Sequence, residues 1–180
     1  MSKTDTSIWW IRRDMRLEDN QVLSDAMECS SHIIPLFVLD PNLLASPYVG
    51  EKRLAFLYAN LMELDNRLKS RGSRLFVRIG KANIELNREL DDNHASMIFA
   101  EPDYSPYAIA RDRIISNHLP IRWSGSPTVY PPDSVIKADG SPYTVYTPYS
   151  RTWKRLPRPS QQSIIKGPEY ISTPDHLENA

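Results

Sequence analysis

Five short runs of β-branched and aromatic residues, set apart by segments of helical period, constrain this 180-residue chain more than anything else in it. They fall at residues 7–11, 33–39, 75–79, 96–100 and 121–123, and each is nearly continuous in apolar character. Strands buried on both faces of a parallel sheet read this way. Between the second and third runs, Leu54, Leu57, Leu61, Leu64 and Leu68 recur at spacings of three and four, which places five leucines on one helical stripe. Gly72 follows as the expected C′ residue, since positive φ carries no steric cost for glycine. Residues 21–28, 83–90 and 106–118 read as shorter helices, with Asp19 the expected N-cap of the first.

The order βαβαβαβαβ predicts an α/β fold with a doubly wound, five-stranded parallel sheet of Rossmann-like order 3-2-1-4-5. The winding direction then reverses between the first and fourth strands, and ligands of such sheets bind beyond the carboxyl ends of the strands near that reversal. After Trp123 the pattern changes: 12 of the 15 prolines lie beyond residue 100, and turn residues replace periodic ones. The expected organisation is an α/β domain over residues 7–130. A proline-rich C-terminal extension over 131–180 would wrap the sheet or serve as a linker.

Lys and Arg together number 22, as do Asp and Glu, so the chain as a whole lacks the basic surface of a module that binds DNA on its own. Residues 151–166 carry five basic side chains and no acidic one, the pattern of an exposed basic linker. The longest apolar stretch, 33–39, is too short for a bilayer and is interrupted by Pro35, which argues against a membrane location. The polar start without an apolar h-region, and Cys29 as the single cysteine, suit a reducing cytoplasm.

The crevice rule selects the residues at the strand ends: Arg12, Arg13 and Asp14 after the first, Asp40 after the second, Glu101 and Asp103 after the fourth. Guanidinium and carboxylate groups gathered there could hold a planar polar ligand. The structural alternative is that Arg13, Asp14, Arg16 and Asp19 pair with one another to fix the first turn. That alternative is preferred for Arg16 and Asp19, while for Asp40 and Asp103 ligand and structure stay evenly balanced. No Gly-x-Gly-x-x-Gly follows the first strand and no phosphate loop occurs. His32, His94, His118 and His176 lack the spacing of paired metal ligands. Cys29 beside Glu28 reads as an inert thiol. Trp9, Trp10 and Trp123, in or beside strands, read as core, whereas Trp153 lies outside them.

Residues 10–20, from Trp10 through Arg12, Arg13, Asp14, Arg16 and Leu17 to Asp19 and Asn20, resemble the opening signature of photolyases and cryptochromes. Four more stretches resemble that family in the family's order: 35–41, 50–57 with Arg53, Tyr104 to Tyr107 followed by Arg111 and Asp112, and 142–153. The resemblance implies the amino-terminal α/β domain. There, photolyases carry an antenna chromophore (a folate, a deazaflavin or a flavin nucleotide) that passes excitation energy to FAD in a separate helical domain. That FAD in turn gives an electron to a pyrimidine dimer flipped out of the duplex. Carried over motif by motif, Arg13, Asp40, Arg53 and Asp103 would line the antenna pocket. Folate-binding members have an Asn-Glu pair where this chain has Tyr107 and Ala108, so a deazaflavin or FMN is expected before a folate. The FAD-binding helical domain has no counterpart in the sequence. The expectation is therefore a truncated or split deoxyribodipyrimidine photolyase, inactive in repair alone, that meets damaged DNA only through a partner supplying that domain. A stand-alone chromophore- or nucleotide-binding module and a cryptochrome-like signalling fragment are the alternatives.

Overall fold

The first strand, β1 (Thr4–Ile11), lies at the centre of a five-stranded sheet, and Ile8, Trp9, Trp10 and Ile11 are each no more than 2% exposed. This computed structural model describes residues 4–46 and 49–177. β1 pairs in parallel with β2 (Ser30–Leu39) on one side and β4 (Met97–Ala100) on the other; β3 (Phe76–Ile79) and β5 (Ile121–Trp123) form the edges. The order is β3-β2-β1-β4-β5, as the alternation of elements predicts.

Successive residues of β1 feed opposite layers, because side chains alternate along a strand. Trp9 and Ile11 pack with α1 (Gln21–Cys29) and α3 (Glu51–Lys69), while Ile8 and Trp10 pack with α4 (Ala82–Asp92) and α5 (Pro106–His118). Of the leucine stripe on α3, Leu61, Leu64 and Leu68 reach the core at 6%, 2% and 0% exposure, whereas Leu54 and Leu57 are half-buried. Gly72 takes φ +79°, and Ser73 then donates its N–H to the Leu68 carbonyl at 3.0 Å, closing the helix as expected. A short α2 (Pro41–Leu44) starts directly after β2, and α6 (Tyr146–Trp153) lies in the extension.

The cap of α1 is a correction. Asn20, not Asp19, is the N-cap: its side-chain oxygen accepts from the Leu23 N–H at 2.9 Å. Its amide nitrogen meanwhile donates to the carbonyls of Asp14 and Arg16 at 3.1 and 2.8 Å. Only a side chain that both accepts and donates can fill this place, which a carboxylate cannot. Asp19 instead adopts φ +49° and donates its backbone N–H to Ile165.

That contact starts the return of the extension over the α1 and α3 face. Ile171 donates to the Arg71 carbonyl and Ile33 to the Ser172 carbonyl, both at 2.8 Å, and the Ser73 and Thr173 hydroxyls meet at 2.6 Å. Ile171 is wholly buried against the Trp9 core, and Leu177 joins the Trp10 core. Among the described residues no helix is long and apolar enough to cross a membrane.

Candidate functional site: a charged cleft at the carboxyl ends of the strands

Asp14 sets the turn that follows β1. It has no exposed surface and accepts from the indole N–H of Trp9 at 3.0 Å and the backbone N–H of Arg12 at 2.9 Å. The turn is thus tied to the strand before it and, through Asn20, to the helix after it.

Arg12 is held from every side. Its Nη1 donates to both carboxylate oxygens of Asp112 at 2.9 and 2.7 Å, and Nη2 donates to the Glu101 carbonyl. The guanidinium carbon stands 4.8 Å from the Trp10 ring and 5.0 Å from the Trp123 ring, a cation between two aromatic faces. Burial pulls the Arg12 pKa down against the opposing pull of Asp112. Arg111, one residue before that carboxylate on α5, lies 4.9 Å from the Trp10 ring on its own account.

Arg13 is exposed, with Nη1 3.7 Å from Asp103 Oδ1. Burial alone would raise the Asp103 pKa. The Ser105 backbone N–H, donating at 2.9 Å, the Ser105 hydroxyl, and the charges of Arg13 and Arg12 outweigh it and hold the carboxyl below its usual range. Asp40 is buried at the start of α2. One of its oxygens accepts from the Asn42 N–H at 2.9 Å, and the other accepts from the Tyr107 hydroxyl at 2.6 Å. Burial, the hydrogen bond to Asp40 and that carboxylate's charge together push the Tyr107 phenol above its ordinary pKa.

These side chains enclose a cavity of ≈ 160 Å³ lined by Trp10, Arg12, Arg13, Asp40, Asp103 and Arg111. A second cavity of ≈ 250 Å³ shares Asp40, Ala82 and Arg111 with it and adds Asn42, Lys81 and Tyr107. The Tyr107–Asp40 hydrogen bond joins residues of the two walls where these spaces adjoin.

Arg13, Asp40 and Asp103, from three different strand ends, therefore come together as the crevice rule anticipates. Arg53 does not join them: it stands exposed on the first turn of α3 and lines neither cavity. The mutual pairing expected of Arg13, Asp14, Arg16 and Asp19 forms in part, through backbone carbonyls and not through ion pairs: the Arg16 N–H donates to the Asp14 carbonyl at 2.7 Å. Arg13 turns to Asp103; Arg16 donates to the backbone carbonyl of Asp19 at 3.0 Å and lies 3.8 Å from Glu101. Reading by residue type found Arg12 at its strand end but missed the part of Trp10, Tyr107 and Arg111. The signal available for the last two was their place in the stretch after the fourth strand. Among the described residues no group of three or more His, Cys, Asp or Glu side chains is arranged to hold a metal ion.

The family model for DNA photolyase matches residues 7–166. The chain belongs to the DNA photolyase family. A deoxyribodipyrimidine photo-lyase of Synechococcus sp. is 32% identical over 160 residues, covering 85% of this chain and 33% of that photolyase. In fold, the chain matches a bacterial class III photolyase from Agrobacterium tumefaciens with a TM-score of 0.83 at 24% identity, over 97% of this chain and 36% of the other. It matches the archaeal photolyase from Sulfolobus tokodaii with a TM-score of 0.75 at 28% identity, over 95% and 39%. That crystal structure contains two FAD molecules and implicates a novel light-harvesting cofactor. The chain thus spans about a third of these photolyases, and the stretch of the photolyase signature from Trp10 to Asn20 is the turn organised by Asp14.

Proposed function

We propose that this chain is the antenna-chromophore domain of a deoxyribodipyrimidine photolyase and that its cleft takes a deazaflavin or flavin nucleotide such as FMN. The observation that carries the reading is the convergence of Arg13, Asp40 and Asp103 on one cavity floored by Trp10. The edge of a pyrimidinedione ring alternates carbonyl acceptors with an N–H donor, and the cleft offers guanidinium donors beside carboxylate acceptors. The residues fit such a group in a second respect. Arg12 Nε is buried without a hydrogen-bond acceptor, whereas Arg111 Nη2 is paired with Asp112 Oδ1 at 2.7 Å. Donors of this kind favour a guest that brings its own oxygens.

Neither adjoining cavity alone reaches the lower limit of about 300 Å³ usual for ligand sites. Sharing Asp40, Ala82 and Arg111, the two together exceed it. Asp40 and Asp103 orient the ring. When bound, the antenna absorbs near-ultraviolet or blue light and hands the energy on. In this reading FAD, the helical domain that holds it and contact with damaged DNA lie in the two thirds of the relatives outside the match.

Equilibrium dialysis of the purified chain against FMN, a deazaflavin and methenyltetrahydrofolate tests the proposal. One equivalent of FMN or deazaflavin is expected to bind more tightly than the folate. Arg13→Ala or Asp103→Ala removes a charge-assisted hydrogen bond and weakens binding about tenfold or more. Unchanged affinity in both cleft variants would refute the assignment.

A further inference from the structure

The winding of the sheet reverses between β1 and β4, and a further cavity of ≈ 500 Å³ opens beside that reversal. The turn after β1 gives it Arg13 and Arg16, and the stretch after β4 gives it Glu101, Asp103 and Tyr104, while Pro127 and Pro132 line it from beyond β5. The smaller cavity of the cleft shares Arg13 and Asp103 with this space, whereas Arg16 and Glu101 line neither cleft cavity. Unlike each of those, it exceeds by itself the lower limit of about 300 Å³ usual for small-molecule sites.

Glu101 is the residue that calls for a ligand. Its side chain is 4% exposed, yet among the described residues nothing donates a hydrogen bond to its carboxyl: Arg16 Nη2 stands 3.8 Å from Oε1, beyond hydrogen-bond reach. Buried polar groups are almost always hydrogen-bonded, to protein, water or a guest. Burial and the charge of Asp14 push the Glu101 pKa up, against the charges of Arg16, Arg12 and Arg13. The guanidiniums at the mouth have donors to spare. Arg13, 3.7 Å from Asp103, makes no side-chain hydrogen bond among the described residues, and Arg16 uses only Nε, on the Asp19 carbonyl.

We propose that this cavity binds a phosphomonoester, its phosphate held by Arg13 and Arg16, one phosphate O–H sharing its proton with the Glu101 carboxyl, and its body against Tyr104, Pro127 and Pro132. Guanidinium forks match phosphate oxygens two at a time. A nearly buried carboxyl beside them repels an anion that has no proton, such as sulfate, and accepts one that brings a proton. A phosphate ester, with a second pKa of about 6, still brings one near neutrality. The shared proton gives Glu101 the hydrogen bond it lacks, and Asp103, held as an anion by Ser105, keeps Arg13 at the wall between the two cavities. Arg16 and Glu101 lie outside the antenna cleft, so the site does not rest on the antenna reading.

Nuclear magnetic resonance titration of the isotope-labelled, flavin-free chain with inorganic phosphate, sulfate and AMP near neutral pH tests the proposal. Phosphate and AMP are expected to bind at least about tenfold more tightly than sulfate and to move the signals of Arg13, Arg16 and residues 101–105. Glu101→Gln, whose amide donates without ionising, should bring phosphate and sulfate within about threefold of each other, and Arg16→Gln should weaken phosphate about tenfold. Equal affinity for the two anions in the unaltered chain, a preference that survives Glu101→Gln, or phosphate affinity untouched by Arg16→Gln overturns the proposal. Asp40→Asn lies in the cleft cavities alone and should weaken FMN while sparing phosphate, so failure of the antenna reading and failure of this site give different results. A comparison of FMN with riboflavin names the owner of the phosphate. An FMN advantage abolished by Arg16→Gln makes it the flavin's own, reaching past Arg13, and phosphate binding that persists in the flavin-saturated chain makes it a separate molecule; either result supports the site.

Discussion

The Asp14 carboxylate has no exposed surface, and it is where the indole of Trp9, the backbone of Arg12 and the amide of Asn20 meet. Asp14→Ala leaves these buried donors without their acceptor, at about 1–3 kcal/mol for each group unsatisfied. Chemical denaturation should show a loss of about 3 kcal/mol, and Tm should fall by roughly 10 °C. Glu101, at the same edge, gives a prediction of opposite sign. Burial, reinforced by the charge of Asp14, raises its pKa in the fold above that of the unfolded chain, with Arg16, Arg12 and Arg13 partly opposing the shift. The stability that accompanies the bound proton is complete below the ordinary carboxylate pKa and is lost as pH rises through the raised one. Glu101→Gln cannot ionise and escapes that loss. Its Tm relative to wild type should therefore climb between about pH 4 and pH 7, a trend that a pH series of melting curves would check. Nothing in the letters separates these roles. Arg12, Arg13 and Asp14 are neighbours in sequence, yet one is stacked between indoles, one reaches the cleft and one is sealed beneath the turn. The direction each side chain takes after a strand ends is a property of the turn, which composition does not encode.

At the scale of elements, periodicity was a good guide where a helix packs and a poor one where it does not. The leucine spacing of α3 predicts a stripe of five, and the last three reach the core while Leu54 and Leu57 remain half-buried. Leu64→Ala should accordingly cost about 3 kcal/mol by cavity formation, and Leu54→Ala less than about 1 kcal/mol, as urea titration of the two variants would show. The difference comes from what lies beneath each turn, which a period cannot report. Strand β5, with three residues, and helix α5 were legible to the residue because Pro106 and Pro120 punctuate them. The cap of α1 was misread by one position because Asp19 and Asn20 are both good caps in general. Only the need to donate to the Asp14 and Arg16 carbonyls tells them apart. Helix α6 buries none of its residues, and its stretch was read only as resemblance and loop.

For the molecule as a whole, strand order followed from the alternation of elements, because right-handed crossovers leave few ways to wind such a chain. The path of the extension did not follow, since turn-rich sequence specifies bends without saying which surface they end on. Its last described stretch reaches both hydrophobic layers, Ile171 in one and Leu177 in the other, while residues 154–163 between α6 and that anchorage have no buried residue. Trypsin acting at Arg155 would sever the covalent path without unseating what lies beyond it. The nicked protein should migrate as two bands in denaturing gels and as one particle in gel filtration, its smaller fragment retained by non-covalent contacts alone. Covalent continuity and structural continuity part company in this fold, and the shorter piece behaves as a tightly held ligand of the longer.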